Sequence, residues 1–183
     1  VRFLSGDMDA FRSLYVTYSD SLFAYGMSMT NDKSIVNECI SSMFLKLYEK
    51  RKNLSKAESI MAYLVSTLRR EIMKKLMDKN LRYGGSFVLG GVRDFVDDSD
   101  EVDFNAEMKK EDKRAEALKA AFMTLSPQQR DVIYLKFFLG LSSSDIARVL
   151  NVTQRTIYNV TFNALSRMRD HINVEDLQVE DYD

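Results

Sequence analysis

The sequence predicts an all-α protein: two small helical domains joined by a flexible acidic linker, with a helix-turn-helix in the second. Three observations predict it. Apolar residues recur at helical rather than alternating spacing over residues 7–80 and again over 111–172. One proline in 183 residues leaves long helices unbroken. Between the two periodic stretches, Gly84, Gly85, Gly90 and Gly91 interrupt any helix. They are followed by an acidic run of Asp94, Asp97, Asp98, Asp100, Glu101 and Asp103. Such a segment is longer than the usual connection between packed elements. The expected organisation is therefore a domain over 1–80, a linker over 81–110, a second domain over 111–172 and an acidic tail over 173–183.

The first helix begins after Gly6, with Asp7 as N-cap and Phe11, Leu14, Tyr15, Tyr18, Leu22 and Tyr25 as its apolar stripe. Tyrosine suits a core margin because it buries a ring while its hydroxyl stays wet. A second helix starts near Asn31 and Asp32 and buries Val36, Ile40, Phe44, Leu47 and Tyr48. Its other face carries Asn37, Glu38, Ser41, Ser42 and Lys46. Lys50, Arg51 and Lys52 close it, where cations complement the helix dipole. After a polar loop, a third helix over 60–80 turns Ala62, Tyr63, Val65, Leu68, Ile72, Leu76 and Met77 inward or nearly so. Arg69, Arg70, Lys74, Lys75 and Lys79 lie on or beside one face of it, a pattern that fits either a solvated surface or a phosphate-binding stripe.

Helical periodicity returns near Glu111 and buries Ala115, Leu118, Ala121 and Phe122. Ser126 then caps a helix with Pro127 in its first turn, where the missing donor costs nothing. Val132, Ile133, Leu135 and Phe137 are expected inward, and Gly140 ends the helix. The stretch LSSSDIARVLNVTQRTIYNVTFNALSRMR, residues 141–169, is the one the rest is organised to present. Ile146, Leu150, Val152, Ile157 and Val160 have the spacing of two helices crossing at a tight turn. Ala147 supplies the small side chain beside the crossing, and Asn151 supplies a residue that tolerates the left-handed conformation. Thr153 caps the second of these helices. Its core stripe is Ile157, Val160, Ala164 and Met168. At roughly 100° per residue, Arg155, Tyr158, Asn159, Phe162, Ser166 and Arg169 share the far side, with Asn163 at the margin. An aromatic among amide groups and arginines suits a major groove, where thymine methyls and base edges are read. The alternative is a plain three-helix bundle with Phe162 packed on a neighbour.

Charge is informative only when divided along the chain, because the formal net charge is −1. Lys and Arg against Asp and Glu number 13 to 9 over residues 1–80, 6 to 9 over 81–114, 7 to 4 over 115–172, and 0 to 5 over 173–183. Attraction to phosphate acts over a Debye length of about 10 Å, so these local excesses govern it rather than the total. One cysteine, Cys39, excludes an internal disulfide, and a single His171 leaves too few soft ligands for structural zinc. No glycine-rich phosphate loop or nucleophile elbow appears, so neither an enzyme nor a cofactor is expected. No apolar run approaches the roughly 18 residues of a membrane span, and the opening residues lack a signal-peptide pattern. A cytoplasmic protein without membrane insertion is the expectation.

Taken together, these residues resemble the extracytoplasmic-function (ECF) sigma factors, the small two-domain members of the sigma-70 family of bacterial transcription initiation factors. GDMDAFRSLYVTYSDSLFAYGMSMTNDKSIVNECISSMFLKLYEKR is similar to the family's promoter-melting domain. LSPQQRDVIYLKFFLGLSSSDIARVLNVTQRTIYNVTFNALSRMR is similar to its minus-thirty-five-reading domain, and the second likeness is the sharper because it keeps family order without a gap. The resemblance implies that core RNA polymerase binds the second helix, at positions matching Asn37, Glu38, Ser41, Ser42 and Lys46. It implies that residues 53–59 and the third helix open and read the minus-ten element, with Tyr63, Arg69, Arg70, Lys74 and Lys75 at matching positions. Minus-thirty-five contacts fall on Tyr158, Asn159, Phe162 and Asn163, flanked by backbone contacts at Arg155 and Arg167. Members often carry tryptophan at Tyr63, asparagine at Arg70 and aspartate at Lys74, so base preference does not transfer. The implied partners are core polymerase, duplex promoter DNA, its melted strand and, typically of the family, an anti-sigma factor. Two other readings stay open: a helix-turn-helix regulator that never touches polymerase, and a degenerate sigma-like adaptor that binds only proteins.

Overall fold

The computed structural model describes residues 2–53, 59–83 and 113–172, and no strand occurs among them. The expected linker beyond Tyr83, most of the polar loop before the third helix and the acidic tail lie outside the described residues. Seven α-helices follow in order: α1 Met8–Met29, α2 Lys33–Glu49, α3 Ile60–Tyr83, α4 Lys113–Met123, α5 Pro127–Ile133, α6 Ser143–Leu150 and α7 Gln154–His171. Short 3-10 turns at Phe3–Ser5 and Arg51–Asn53 flank α1 and α2.

Local chemistry sets most of the helix starts. The Asp7 carboxylate accepts from the backbone N–H of Asp9 and Ala10, and Asp32 does the same for Ser34 and Ile35. Each satisfies donors that have no partner inside the helix. Ser126 and Gln129 form a reciprocal capping box at α5. Ser142 and Thr153 cap α6 and α7 with hydroxyls. The helix-turn-helix closes through Asn151 at φ 55° and ψ 49°, the one positive-φ non-glycine among the described residues. The Val152 N–H then bonds back to the Ala147 carbonyl at 3.0 Å.

Helices α1, α2 and α3 pack on one another, while α7 holds α4, α5 and α6. The crossing of α1 and α2 is close enough to require glycine at Gly26, since a Cβ there would lie 2.6 Å from Val36 Cγ1. Helix α3 also packs on α6, and the two groups of helices share one apolar cluster. It runs from Leu22, Tyr25, Phe44, Leu68 and Ile72 into Val132, Leu135, Ile146 and Ile157. A smaller cluster of Ala121, Leu125, Ile133, Ala164 and Met168 sits under α4.

Four expected core positions differ. Phe137 is 56% exposed, because Tyr134–Phe138 form a π-helical turn, closed by the Leu139 N–H on the Tyr134 carbonyl. The wider turn shifts the phase of the apolar stripe. Leu118 is exposed because α4 packs mainly on α7 through its Ala121 side. Tyr63 is exposed while its neighbour Leu64 takes the buried place. Tyr15 is also exposed, with its ring tilted against that of Phe44 at a centroid separation of 4.9 Å.

Candidate nucleic-acid and partner interface

The second helix of the helix-turn-helix is fixed from below and open above. Ile157, Thr161, Ala164 and Met168 are buried against the rest of the group. On the opposite side Phe162 is 70% and Tyr158 59% exposed, with Arg155, Asn159, Asn163 and Arg167 also exposed. Neither Arg155 nor Arg167 forms an ion pair among the described residues. An apolar ring left this open has a solvation cost that burial against a partner would recover. Tyr158 and the exposed Leu165 extend its apolar surface, and Asn159, Asn163, Arg155 and Arg167 add hydrogen-bonding groups, a mixture that suits base edges.

The five residues of α3 and its start assigned to the minus-ten element are not one free cationic stripe. The structure brings together only part of the set. Tyr63 and Arg70 line a groove of about 230 Å³ between α2 and α3, with Met43, Lys46, Leu47, Lys50, Ser66, Thr67 and Glu71. That is below the roughly 300–1,000 Å³ typical of small-molecule sites. Lys46, on the helix assigned to polymerase, therefore faces the same groove as the minus-ten residues. Lys74 is exposed, without an ion pair among the described residues.

Three of the cations on this side are engaged by carboxylates of the other helix. Lys75 pairs with Glu38, Lys46 with Glu71 at 2.9 Å, and Lys79 with Asp32 at 3.1 Å. Glu38 raises the pKa of Lys75 through their hydrogen bond. These pairs tie α2 to α3 along an exposed seam, where each is worth at most about 1 kcal/mol. Asn37 and Ser41 are exposed on α2, and Ser42 is half-buried. So Glu38 and Lys75, assigned to different partners, hold each other.

Arg69 is the largest departure from the expected stripe. Its Nη1 donates to Asp131 Oδ2 at 2.6 Å and to the Tyr25 hydroxyl at 2.9 Å, and that hydroxyl lies 3.3 Å from Asp131 Oδ1. Tyr25 is fully buried. Burial and the Asp131 charge hold its phenol far above the usual range, so it stays neutral and donates. Burial disfavours the Arg69 charge, but Tyr25 and Asp131 outweigh that and raise its pKa. Removing one member of such a pair costs roughly 3–5 kcal/mol where burial is complete, because the other charge is left uncompensated. In this arrangement Arg69 is not presented to a phosphate. Sequence reading missed Tyr25, Glu71 and Asp131 as polar partners. Asp131 carried one signal, a carboxylate beside the apolar run Val132–Ile133, but nothing in the chain's order pairs it with Arg69.

No helix among the described residues is long and apolar enough to cross a membrane. No cluster of potential metal ligands occurs among them.

Residues 115–168 match the family model for sigma-70, region 4. Over 167 residues the chain is 26% identical to the ECF RNA polymerase sigma factor BldN of Streptomyces coelicolor. That alignment covers 88% of this chain and 60% of BldN, so the chain spans about three-fifths of the length of this curated relative. The fold is similar to that of the sigma factor RpoE in complex with the anti-sigma factor NepR from Bartonella quintana. There the TM-score is 0.65 at 18% identity, covering 91% of this chain and 98% of the other. It is also similar to CnrH in complex with the cytosolic domain of CnrY, with a TM-score of 0.58 at 15% identity over 97% and 95% of the two chains. At these identities the two structures speak for the fold alone.

Proposed function

We propose that this chain is an extracytoplasmic-function sigma factor of the sigma-70 family and directs core RNA polymerase to promoters, a reading supported by the region 4 match and the likeness to BldN. The reading rests on one observation above the others, the exposed Tyr158, Asn159 and Phe162 on the second helix of the helix-turn-helix. That helix enters the major groove of the minus-thirty-five element. Asn159 and Asn163 hydrogen-bond base edges, Phe162 and Tyr158 lie on thymine methyls, and Arg155 and Arg167 fix the helix to the backbone.

The α2–α3 side meets the melted minus-ten strand. An extruded base costs a few kcal/mol in lost stacking and must be held while cations follow the strand. Tyr63 at the mouth of the groove offers the stacking ring, and Arg70 and Lys74 offer the charge. The exposed side of α2, through Asn37, Glu38, Ser41 and Ser42, meets core polymerase. BldN is an ECF RNA polymerase sigma factor by name, and RpoE of the NepR complex is bound by an anti-sigma factor. By that likeness an anti-sigma factor is a further partner of this chain.

Run-off transcription with purified core polymerase and a genomic fragment library tests the reading. Start sites that appear only when the chain is added are expected, and Asn159→Ala should lose most of them. Specific duplex binding without any association with core enzyme would instead identify a stand-alone regulator. Binding to neither would identify a protein-only adaptor.

A further inference from the structure

We propose that Arg69, Asp131 and Tyr25 form an autoinhibitory latch, in which the Asp131 carboxylate takes the place of a nucleic-acid phosphate on Arg69 and keeps the helix-turn-helix group closed on α3. The inference rests on the proposed reading of α3 as the side that meets single-stranded DNA. Three elements meet at the cluster: Tyr25 from α1, Arg69 from α3 and Asp131 from α5. Nothing local brings them together, since Arg69 and Asp131 are 62 positions apart. A guanidinium donates to a carboxylate or to a phosphate oxygen alike, so the two acids compete for one donor. The residue withdrawn by the closure is one of the cations of α3, whereas Phe162 and Tyr158 on α7 remain 70% and 59% exposed. Closure therefore withdraws one cation from the α3 face, where Tyr63, Arg70 and Lys74 stay exposed, and spares the α7 face.

The chemistry of the junction fits a contact made to be released. The surrounding interface is apolar, with the Tyr25 and Tyr134 rings 5.9 Å apart and Leu135 and Ile146 in the shared core. A buried ion pair commonly holds less tightly than apolar side chains of equal volume, while a competing phosphate can replace one of its halves. The order of events follows. The closed chain reads duplex through α7, and a strand first engaged by the exposed Tyr63, Arg70 and Lys74 then displaces Asp131 from Arg69.

The test uses the full chain, small-angle scattering for compactness, and fluorescence anisotropy at low salt with a labelled mixed-sequence single strand and a labelled duplex. Asp131→Asn is expected to enlarge the radius of gyration and to tighten single-strand binding about tenfold. Tyr25→Phe keeps the net charge and is expected to give about a two- to threefold gain. It carries the test if Asp131→Asn fails to fold by circular dichroism. Asp20→Asn, the same charge change at an exposed site of α1, should leave both readouts near the wild type. Adding Arg69→Ala to Asp131→Asn should abolish the gain, and duplex binding should stay unchanged throughout. A gain no larger than that of Asp20→Asn, or one that survives Arg69→Ala, overturns the latch while duplex binding keeps the function intact. Binding of neither probe by any variant overturns the reading of α3 and α7, and the latch's role falls with it.

Discussion

Among the described residues, helix α7 turns Tyr158, Asn159 and Phe162 to solvent with no acid holding its Arg155 or Arg167, whereas α3 yields three of its cations to carboxylates on its neighbours. Arg69 goes to Asp131, Lys75 to Glu38 and Lys79 to Asp32. With both faces meeting nucleic acid as proposed, the difference limits indiscriminate binding by a chain of net charge −1. A face that works mainly by hydrogen bonds and apolar contact, with Arg155 and Arg167 as flanking cations, can stay open, because most of its contacts do not reach far in solution. Bare cations attract any phosphate within a Debye length. Cations already paired on their own chain attract one only after the pairs open.

The largest expected effect tests the open face. Asn159→Ala and Phe162→Ala should each weaken binding to a minus-thirty-five duplex by about tenfold or more, the range for a lost base-edge contact. Both side chains are exposed, so folding stability should move by no more than about 0.5 kcal/mol. Wild-type affinity in both variants would show that this face is solvated surface and would end the comparison.

A smaller effect is expected on the paired side. Glu38→Gln together with Glu71→Gln frees Lys75 and Lys46 without removing a cation. In the isolated chain, the logarithm of single-strand affinity against the logarithm of salt should steepen by up to about 1.4, since each freed phosphate contact adds roughly 0.7. An unchanged slope would mean that the pairs do not restrain these lysines. The pairs are exposed, so the melting midpoint should barely move.

What could be read from the chain in advance was what is decided within a few residues. Asp7, Ser126 and Thr153 are caps because each is followed by donors that need an acceptor, and Asn151 is left-handed because a tight turn demands it. The face of α7 was legible for the same reason, since its core and open sides follow from one helical period. The α3 side was not. Adjacent apolar residues at positions 62–65 leave its phase ambiguous, and Tyr63 and Leu64 changed places accordingly. A π-helical turn displaced Phe137 without any breaker in the sequence to announce it. The partner of Arg69 comes from the far side of the segment between α3 and α4, where only the packing of whole helices decides who meets whom.

The smallest effect sharpens a second contrast between the same two regions, in how their helices begin. Helix α2 starts on a carboxylate, Asp32, whereas α5 starts on a hydroxyl, Ser126. The Ile35 N–H and then the Lys79 ammonium hold the Asp32 carboxyl below its ordinary value of 3.8. A depressed folded-state pKa means that the folded chain binds fewer protons than the unfolded one near that value. Its stabilisation is therefore complete above about pH 4 and is lost as the pH falls through the folded-state pKa. Asp32→Ala should cost about 1 kcal/mol at pH 7, and so should Ser126→Ala. On acidification the Asp32→Ala penalty should shrink, because protonation removes the charge that the wild type uses, while the Ser126→Ala penalty stays level because a hydroxyl does not titrate there. Chemical denaturation of the wild type and both variants at pH 7 and pH 3 separates the two. Parallel penalties at both pH values would show that the Asp32 cap works through its hydrogen bonds alone, with no share from its charge or from Lys79.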